Sequence, residues 1–381
     1  MARIAVQLID AGTDAHLWSE IYNGDLTDLS RIFVIQSEVA QSVARELKAV
    51  ISPAEKQLIE KIPTKSTEAY DAWLKGMFFW KKLNPNDLET AMKYFELAKE
   101  KDPEYAPAYA GIGFVWGGLM QMGHISPVEA GPKVMEALTK AIELDSTNAE
   151  VIYPQACTNT WMLWDWESGE SAFKKALELN PNHAEAHAYY SHLLNIIGRP
   201  EEAMKQIQLA LKLDPLNALI KSLYSIDLLF VRRYEDAITA SREALKIDPT
   251  APVALAGLVY SLHLTGKYNE ALEIWKFLYS NIYKNNVHAF DQGYKKEGYT
   301  GALIFEADTL AAQYKTIYAN PTDIANLYVL AGKKELALNW LEQAFEIHDL
   351  NMPYLLWPLY DDIRNETRFR DLCNKMNLPY R

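Results

Sequence analysis

A chain of 381 residues, 49% hydrophobic and 23% charged, has room for two or three ordinary domains or one elongated array, and is too apolar for disorder. Its formal net charge of -12 opposes binding to phosphate backbones and to anionic membrane surfaces, so no nucleic-acid partner is expected. Two distant cysteines, Cys157 and Cys373, exclude a disulfide framework and a cysteine-based metal site, and no run approaches the ~20 apolar residues of a membrane helix, so no membrane insertion is expected.

Residues 3–10 and 16–22 read as two strands around the turn Ala11-Gly12-Thr13-Asp14. A helix follows from about Asp28 to Lys48, with Leu29, Ile32, Phe33, Val39, Val43 and Leu47 on one apolar face. The residues Gln7-Leu8-Ile9-Asp10, Thr13, His16-Leu17-Trp18, Tyr22, Asp25-Leu26, Phe33, Gln36 and Ala40 give this segment, 1–50, its likeness. It resembles the C-terminal part of a TolB-like amino-terminal domain, a small truncated α/β piece whose earlier strands are missing here. A lone hairpin is marginal in water and leaves open edges. The expectation is a fragment of a longer protein; the alternative is strand pairing with a second copy, a homodimer through the N-terminal hairpin.

Residues 51–67 read as a helical linker, and from about 68 to 350 the chain is periodic. Pro181, Pro215 and Pro249 stand 34 residues apart, each closing a similar run (ALELNP, ALKLDP, ALKIDP). Ala203, Ala237 and Ala271 keep that step, as do Ala176, Ala210 and Ala244. Ala91, Phe95, Ala98 and Pro103 repeat the spacing inside one unit. Small alanines let paired helices approach, Ile207 or Trp275 fills the space left, and each proline stops the second helix. Gly198 and Gly266 supply the turns between helices. These residues resemble the tetratricopeptide repeat, which implies an all-α, right-handed solenoid of about eight helix pairs. The seventh pair, around Ala289 to Ala311, departs from the pattern, with Gly298 and Ala302 still marking two helices. Residues 351–381 read as a C-terminal capping segment, with Phe369, Leu372 and Met376 forming one apolar stripe over the open end.

Trp164-Asp165-Trp166 and the closing Arg368-Phe369-Arg370-Asp371-Leu372 extend the likeness over nearly the whole chain. The combination resembles bacterial signalling proteins in which a TolB-like domain and tetratricopeptide repeats follow an adenylate cyclase, a serine/threonine kinase or a winged-helix transcriptional regulator. That resemblance implies a sensory or docking arm. The cysteine usage fits the cytoplasm, and a periplasmic location follows instead if a membrane helix lies upstream.

Catalytic and metal constellations are not found. His183, His187 and His192 lack the spacing of a zinc-protease motif, and bound zinc needs three or four converging ligands. The glycines from Gly111 to Gly118 have no preceding strand, which excludes a nucleotide loop, and Gly113 falls at a packing position. Trp161, Trp164 and Trp166 read as filling an irregular helix junction rather than as a ligand shelf. The expectation is therefore a protein that is not an enzyme and holds neither cofactor nor metal.

The first helix of each pair lines the concave face of such a superhelix. Candidate groove residues are Tyr189, His192 and Asn195 from the fourth pair, Ile226, Leu229 and Phe230 from the fifth, and Tyr260 and His263 from the sixth. Two readings stand open: a row that binds an apolar or aromatic peptide or helix, and a row packed against neighbouring helices or a cap. At the positions where chaperone-binding relatives carry lysines and asparagines, the chain has Ala188, His192, Asn195, Ser222, Ile226 and Leu229, so acidic chaperone tails are not expected to bind.

Overall fold

The computed structural model describes residues 2–10, 12–24, 29–47, 56, 64–282, 287–314 and 316–379. Strand β1 (Ala2–Asp10) pairs antiparallel with β2 (Ala15–Gly24), with a bulge between Leu8 and Ile9, and Asp10 closes the turn by accepting from the Gly12 and Thr13 amides. Helix α1 (Leu29–Glu46) follows, and Ile35 and Ser42 are its most buried described residues. Leu47, expected on the apolar face, is exposed, because the helix ends before it. The side chains of Leu29, Ile32 and Phe33 lie outside the described residues, as does the expected linker apart from residue 56 and residues 64–67.

From residue 67 onward, helices pair. In the first, third, fourth and fifth pairs the first helix starts on a side-chain cap: Ser66, Asn148, His183 and Asn217 each accept from an amide two or three residues on. The second helix of the first five pairs ends on Asp102, Asp145, Asn180, Asp214 or Asp248, whose amide donates to the alanine carbonyl four residues back. Asn180, Asp214 and Asp248 stand just before the 34-residue prolines, so that comb in the sequence is a comb of helix stops. Ala176, Ala203, Ala210, Ala237, Ala244 and Ala271 are buried where helices cross, and Phe95 fills the space that Gly76 and Gly111 leave open. Gly198, Gly266 and Gly332 turn the chain with φ of 76°, 73° and 70°.

Among the described residues eight pairs result, as expected. The first joins Thr67–Trp80 to Pro85–Lys101 and the eighth joins Pro321–Leu330 to Lys334–Glu346. In the third, Ala149–Cys157 runs into a wide turn, Thr158–Met162, before Trp166–Leu179, and Trp164 takes a positive φ of 55°. The seventh is continuous from His288 to Gln313 apart from a sharp reversal at Glu297 and Gly298 (φ 65°). Its two arms touch at Gly293 and Gly301, where a Cβ on either residue would collide with the facing carbonyl.

After Glu346 the chain does not simply cap the open end. Two short 3-10 turns, Met352–Leu356 and Pro358–Ile363, run inside the superhelix, and only then does the helix Thr367–Lys375 pack on the eighth pair. There Phe369, Leu372 and Met376 are buried, and Arg368 donates to Glu342 at 2.8 Å. The expected cap from residue 351 is thus corrected: its first part is an internal strut, drawn inward by Tyr354, Trp357 and Tyr360, whose rings need burial.

Candidate functional site: the filled concave face

The candidate residues lie on the first helices of the fourth, fifth and sixth pairs, and the strut covers three of them. Tyr354 sits between the third, fourth and fifth pairs. Its ring centroid is 6.1 Å from that of His192 and 6.1 Å from that of Phe230, and its hydroxyl accepts from the Trp161 indole at 3.0 Å. Trp357 follows, with ring centroids 5.9 Å from Phe230 and 5.7 Å from Tyr260. Tyr360 donates to the Asn326 carbonyl at 2.5 Å, and the Asn326 amide donates back across the lumen to Tyr260 at 3.1 Å. At the far end Arg232 donates to Asp361 at 3.0 Å.

Of the eight candidates, His192, Phe230 and Tyr260 therefore touch the strut. Tyr189 stacks edge-on against Trp161, and Ile226 lines the adjoining space. Leu229 is fully buried behind the face. Asn195 donates to Asp227 at 2.6 Å instead of facing a ligand, and His263 hydrogen-bonds to Tyr299 at 3.2 Å. His183 caps its own helix and His187 engages Gln206 and the Pro181 carbonyl, so the three histidines point to separate tasks.

The superhelix is also tied shut. Asn320 and Asn351, at the eighth pair, both donate to the Gln121 carbonyl at the end of the second pair's first helix, at 2.8 and 3.2 Å. Trp164 stacks on His348 with centroids 4.2 Å apart, and the Trp166 indole donates to the Met376 carbonyl at 2.8 Å. The three tryptophans pack as the sequence implies, and what they pack against is the chain's own C-terminal region.

Behind the strut lies a buried polar chain. His192 Nε2 is 3.0 Å from the Leu223 carbonyl, which can only accept, so that nitrogen carries the proton and Nδ1 accepts from Tyr354 at 3.3 Å. Burial holds the His192 imidazole down to about 4, so it is neutral near pH 7. Asp227 is also fully buried, and loss of hydration pushes its carboxyl up to about 8 despite the bonds from Ser191 and Asn195. Ser191 Oγ lies 2.6 Å from both Ala188 O and Asp227. Its single proton goes to the carbonyl when Asp227 itself donates, which a neutral carboxyl can do.

These two groups pull stability in opposite directions. Unfolded aspartate loses its proton near pH 4, whereas folded Asp227 keeps it to about 8, so this residue lowers stability progressively as pH rises through that window. Unfolded histidine gains a proton below about 6.5 and folded His192 resists until about 4, so stability is lost as pH falls across that range. The slopes cancel between roughly 4 and 6.5, leaving Asp227 alone above. Asp227→Asn, which keeps the bonds of the neutral acid, is expected to gain about 2 kcal/mol on the wild type between pH 6.5 and 8. Urea midpoints at the two pH values measure it, and parallel wild-type and variant curves would contradict a protonated Asp227.

Residues 165–225 match a family model described as tetratricopeptide repeat. The putative adenylate cyclase 3 of Rhizobium meliloti (strain 1021) is 27% identical over 162 residues, 42% of this chain and 27% of that one. The transcriptional regulator HilA of Salmonella typhimurium is 29% identical over 152 residues, 40% of this chain and 27% of that one. The chain thus spans about a quarter of the length of these relatives. Among solved structures, the human IFIT1 dimer with m7Gppp-AAAA superposes with a TM-score of 0.53 at 17% identity, covering 88% of this chain and 76% of that one. The fold is that of a tetratricopeptide-repeat solenoid, and no helix among the described residues is long and apolar enough to cross a membrane.

Proposed function

We propose that this chain is the docking arm of a larger bacterial signalling protein, and that its concave groove takes an aromatic-rich peptide segment in exchange for its own Met352–Ile363 strut. The observation that carries the reading is the seating of Tyr354 and Trp357 against His192, Phe230 and Tyr260, which is how a groove of this kind would hold a partner's side chains. Tyr189, Asn195, Ile226 and Leu229 support that surface from beside and behind, and His263 borders it. A displaced strut leaves its own rings bare, so a partner must supply equivalent aromatic surface. The stretches shared with a putative adenylate cyclase and a transcriptional regulator support an effector that such an arm would serve. The order β1, β2, α1 supports the TolB-like reading of residues 1–50.

A synthetic peptide of residues 349–363 tests the exchange. The chain carrying Tyr354→Ala and Trp357→Ala, with helicity checked by circular dichroism, is expected to bind this peptide at least tenfold more tightly than the wild type does. Adding Phe230→Ala should abolish that binding. A folded double variant that ignores the peptide overturns the reading; if the double variant unfolds, Trp357→Ala alone replaces it. A second reading, dimerisation through the hairpin, is favoured by the outer edges of β1 and β2, which have no further strand partner among the described residues. Light scattering on the same wild-type sample decides it, since a mass of 43.4 kDa sets the dimer aside.

A further inference from the structure

Beside the strut the lumen is not filled. A cavity of about 110 Å³ remains between the concave helices, the strut and the start of the eighth pair. Its walls are aromatic: Tyr260, Trp275, Tyr279 and Trp357 form a continuous surface, with Tyr260 and Trp275 rings 5.7 Å apart at 78° and Trp275 and Tyr279 6.0 Å apart. Among the described residues that line it, Asp323 is the single carboxylate, and none is lysine or arginine.

The reason Asp323 stands alone is local. Two carboxylates meet at the start of the helix Pro321–Leu330, and Asp349 takes the donors there, accepting from the Thr322 amide at 3.1 Å, the Thr322 hydroxyl at 2.8 Å and the Asn351 amide at 2.9 Å. Asp323 is half-buried; its amide donates to the Asn320 carbonyl at 3.0 Å, and its carboxylate has no hydrogen-bond or salt-bridge partner among the described residues. It borders both the lumen and an adjoining cleft bounded by Gly123, His124 and Ile317. Burial and the neighbouring Asp349 push its carboxyl up to about 8, the behaviour of an acid lacking its counter-charge. The Trp357 indole N–H, nine-tenths buried on the same wall, likewise has no acceptor.

We infer that this cavity is a binding site for a small organic ammonium ion, held by the faces of Tyr260, Trp275, Tyr279 and Trp357 and neutralised by Asp323. Aromatic faces attract a cation within about 6 Å, and the attraction grows when both are out of water. Held up at about 8, the Asp323 carboxyl is neutral in the empty cavity at pH 7 and releases its proton to solvent as the ammonium enters, which supplies the charge that a bare aromatic box lacks. The chain's acidic surface raises the local concentration of cations over anions. A neutral ligand would leave Asp323 unpaired, and an anion would meet it directly, so the cavity discriminates by charge. Trp357 belongs to the strut, so the site is complete only while the strut is seated, and Tyr260, Trp275 and Tyr279 belong to the repeats.

Calorimetry with tetramethylammonium and with the neutral, similarly branched neopentyl alcohol, on the full chain, tests the assignment. The wild type is expected to bind the cation at least tenfold more tightly, and Asp323→Asn to remove that preference while leaving the alcohol's affinity unchanged. Quenching of tryptophan fluorescence on titration of the wild type gives the preference without recourse to a variant. Equal affinities, tighter binding of the alcohol, no binding of either, or a cation preference that survives Asp323→Asn each overturn the site. None of these results bears on whether the 349–363 peptide binds the strut-loosened chain.

Discussion

Tyr354→Ala is expected to lower the unfolding free energy by about 3–5 kcal/mol, the range for deleting a large aromatic side chain from a packed interior. Two effects combine. The ring leaves a void among His192 and Phe230 on the concave helices and Trp357 on the strut itself. Its hydroxyl is also the link between the Trp161 indole and His192 Nδ1, so its removal strands a buried donor and a buried acceptor at once. Tyr354→Phe separates the two effects, since it keeps the ring and is expected to cost about 1–2 kcal/mol. Urea denaturation followed by circular dichroism measures both. A loss below about 1 kcal/mol for the alanine variant would mean that the strut does not hold the concave face.

The other large effect lies in the seventh pair. Gly293→Ala is expected to cost about 3 kcal/mol, the upper end of what overpacking does. The new Cβ would meet the Gly301 carbonyl and the Ala302 backbone, and backbone cannot swing aside as a side chain does. Relief requires the two arms of His288–Gln313 to separate, which would break the reversal at Gly298 and unseat Ala302 and Leu303, both fully buried. The same denaturation assay reads it. A variant as stable as the wild type would show that the arms do not meet at Gly293 and Gly301.

The pairs themselves were legible because each is specified locally. The 34-residue steps of proline and alanine mark helix ends and helix crossings, and those depend on residues a few positions apart. Even the irregular seventh pair announced its reversal through Gly298, and the tryptophans of the third pair announced packing. The register of the concave face followed from the same period, which is why Tyr189, His192, Phe230 and Tyr260 fall where the repeat puts them. The strut was not legible, because its partners lie up to 193 residues away and no period connects them. A faint signal exists in Tyr354, Trp357 and Tyr360, spaced by three, which a 3-10 turn places on one side, and in Pro353 and Pro358, which forbid a longer α-helix. The inward carboxyl of Asp323 was hidden for a related reason: which of two neighbouring acids takes the amides depends on where Asp349 returns.

An open solenoid folds nearly as a string of beads, each unit leaning on its neighbours, so that ends fray and stretches of the array come and go. The Gln121 carbonyl, held from Asn320 and Asn351, together with Trp161 and Trp166 anchored 193 and 210 residues downstream, removes that freedom. Residues 351–376 leave the ribosome after the middle of the chain and complete contacts that Gln121, Trp161 and Trp166 have been waiting for. Early repeats can gain helix as they emerge, but their full stability arrives late and all together, and the loop that must close to bring it is long.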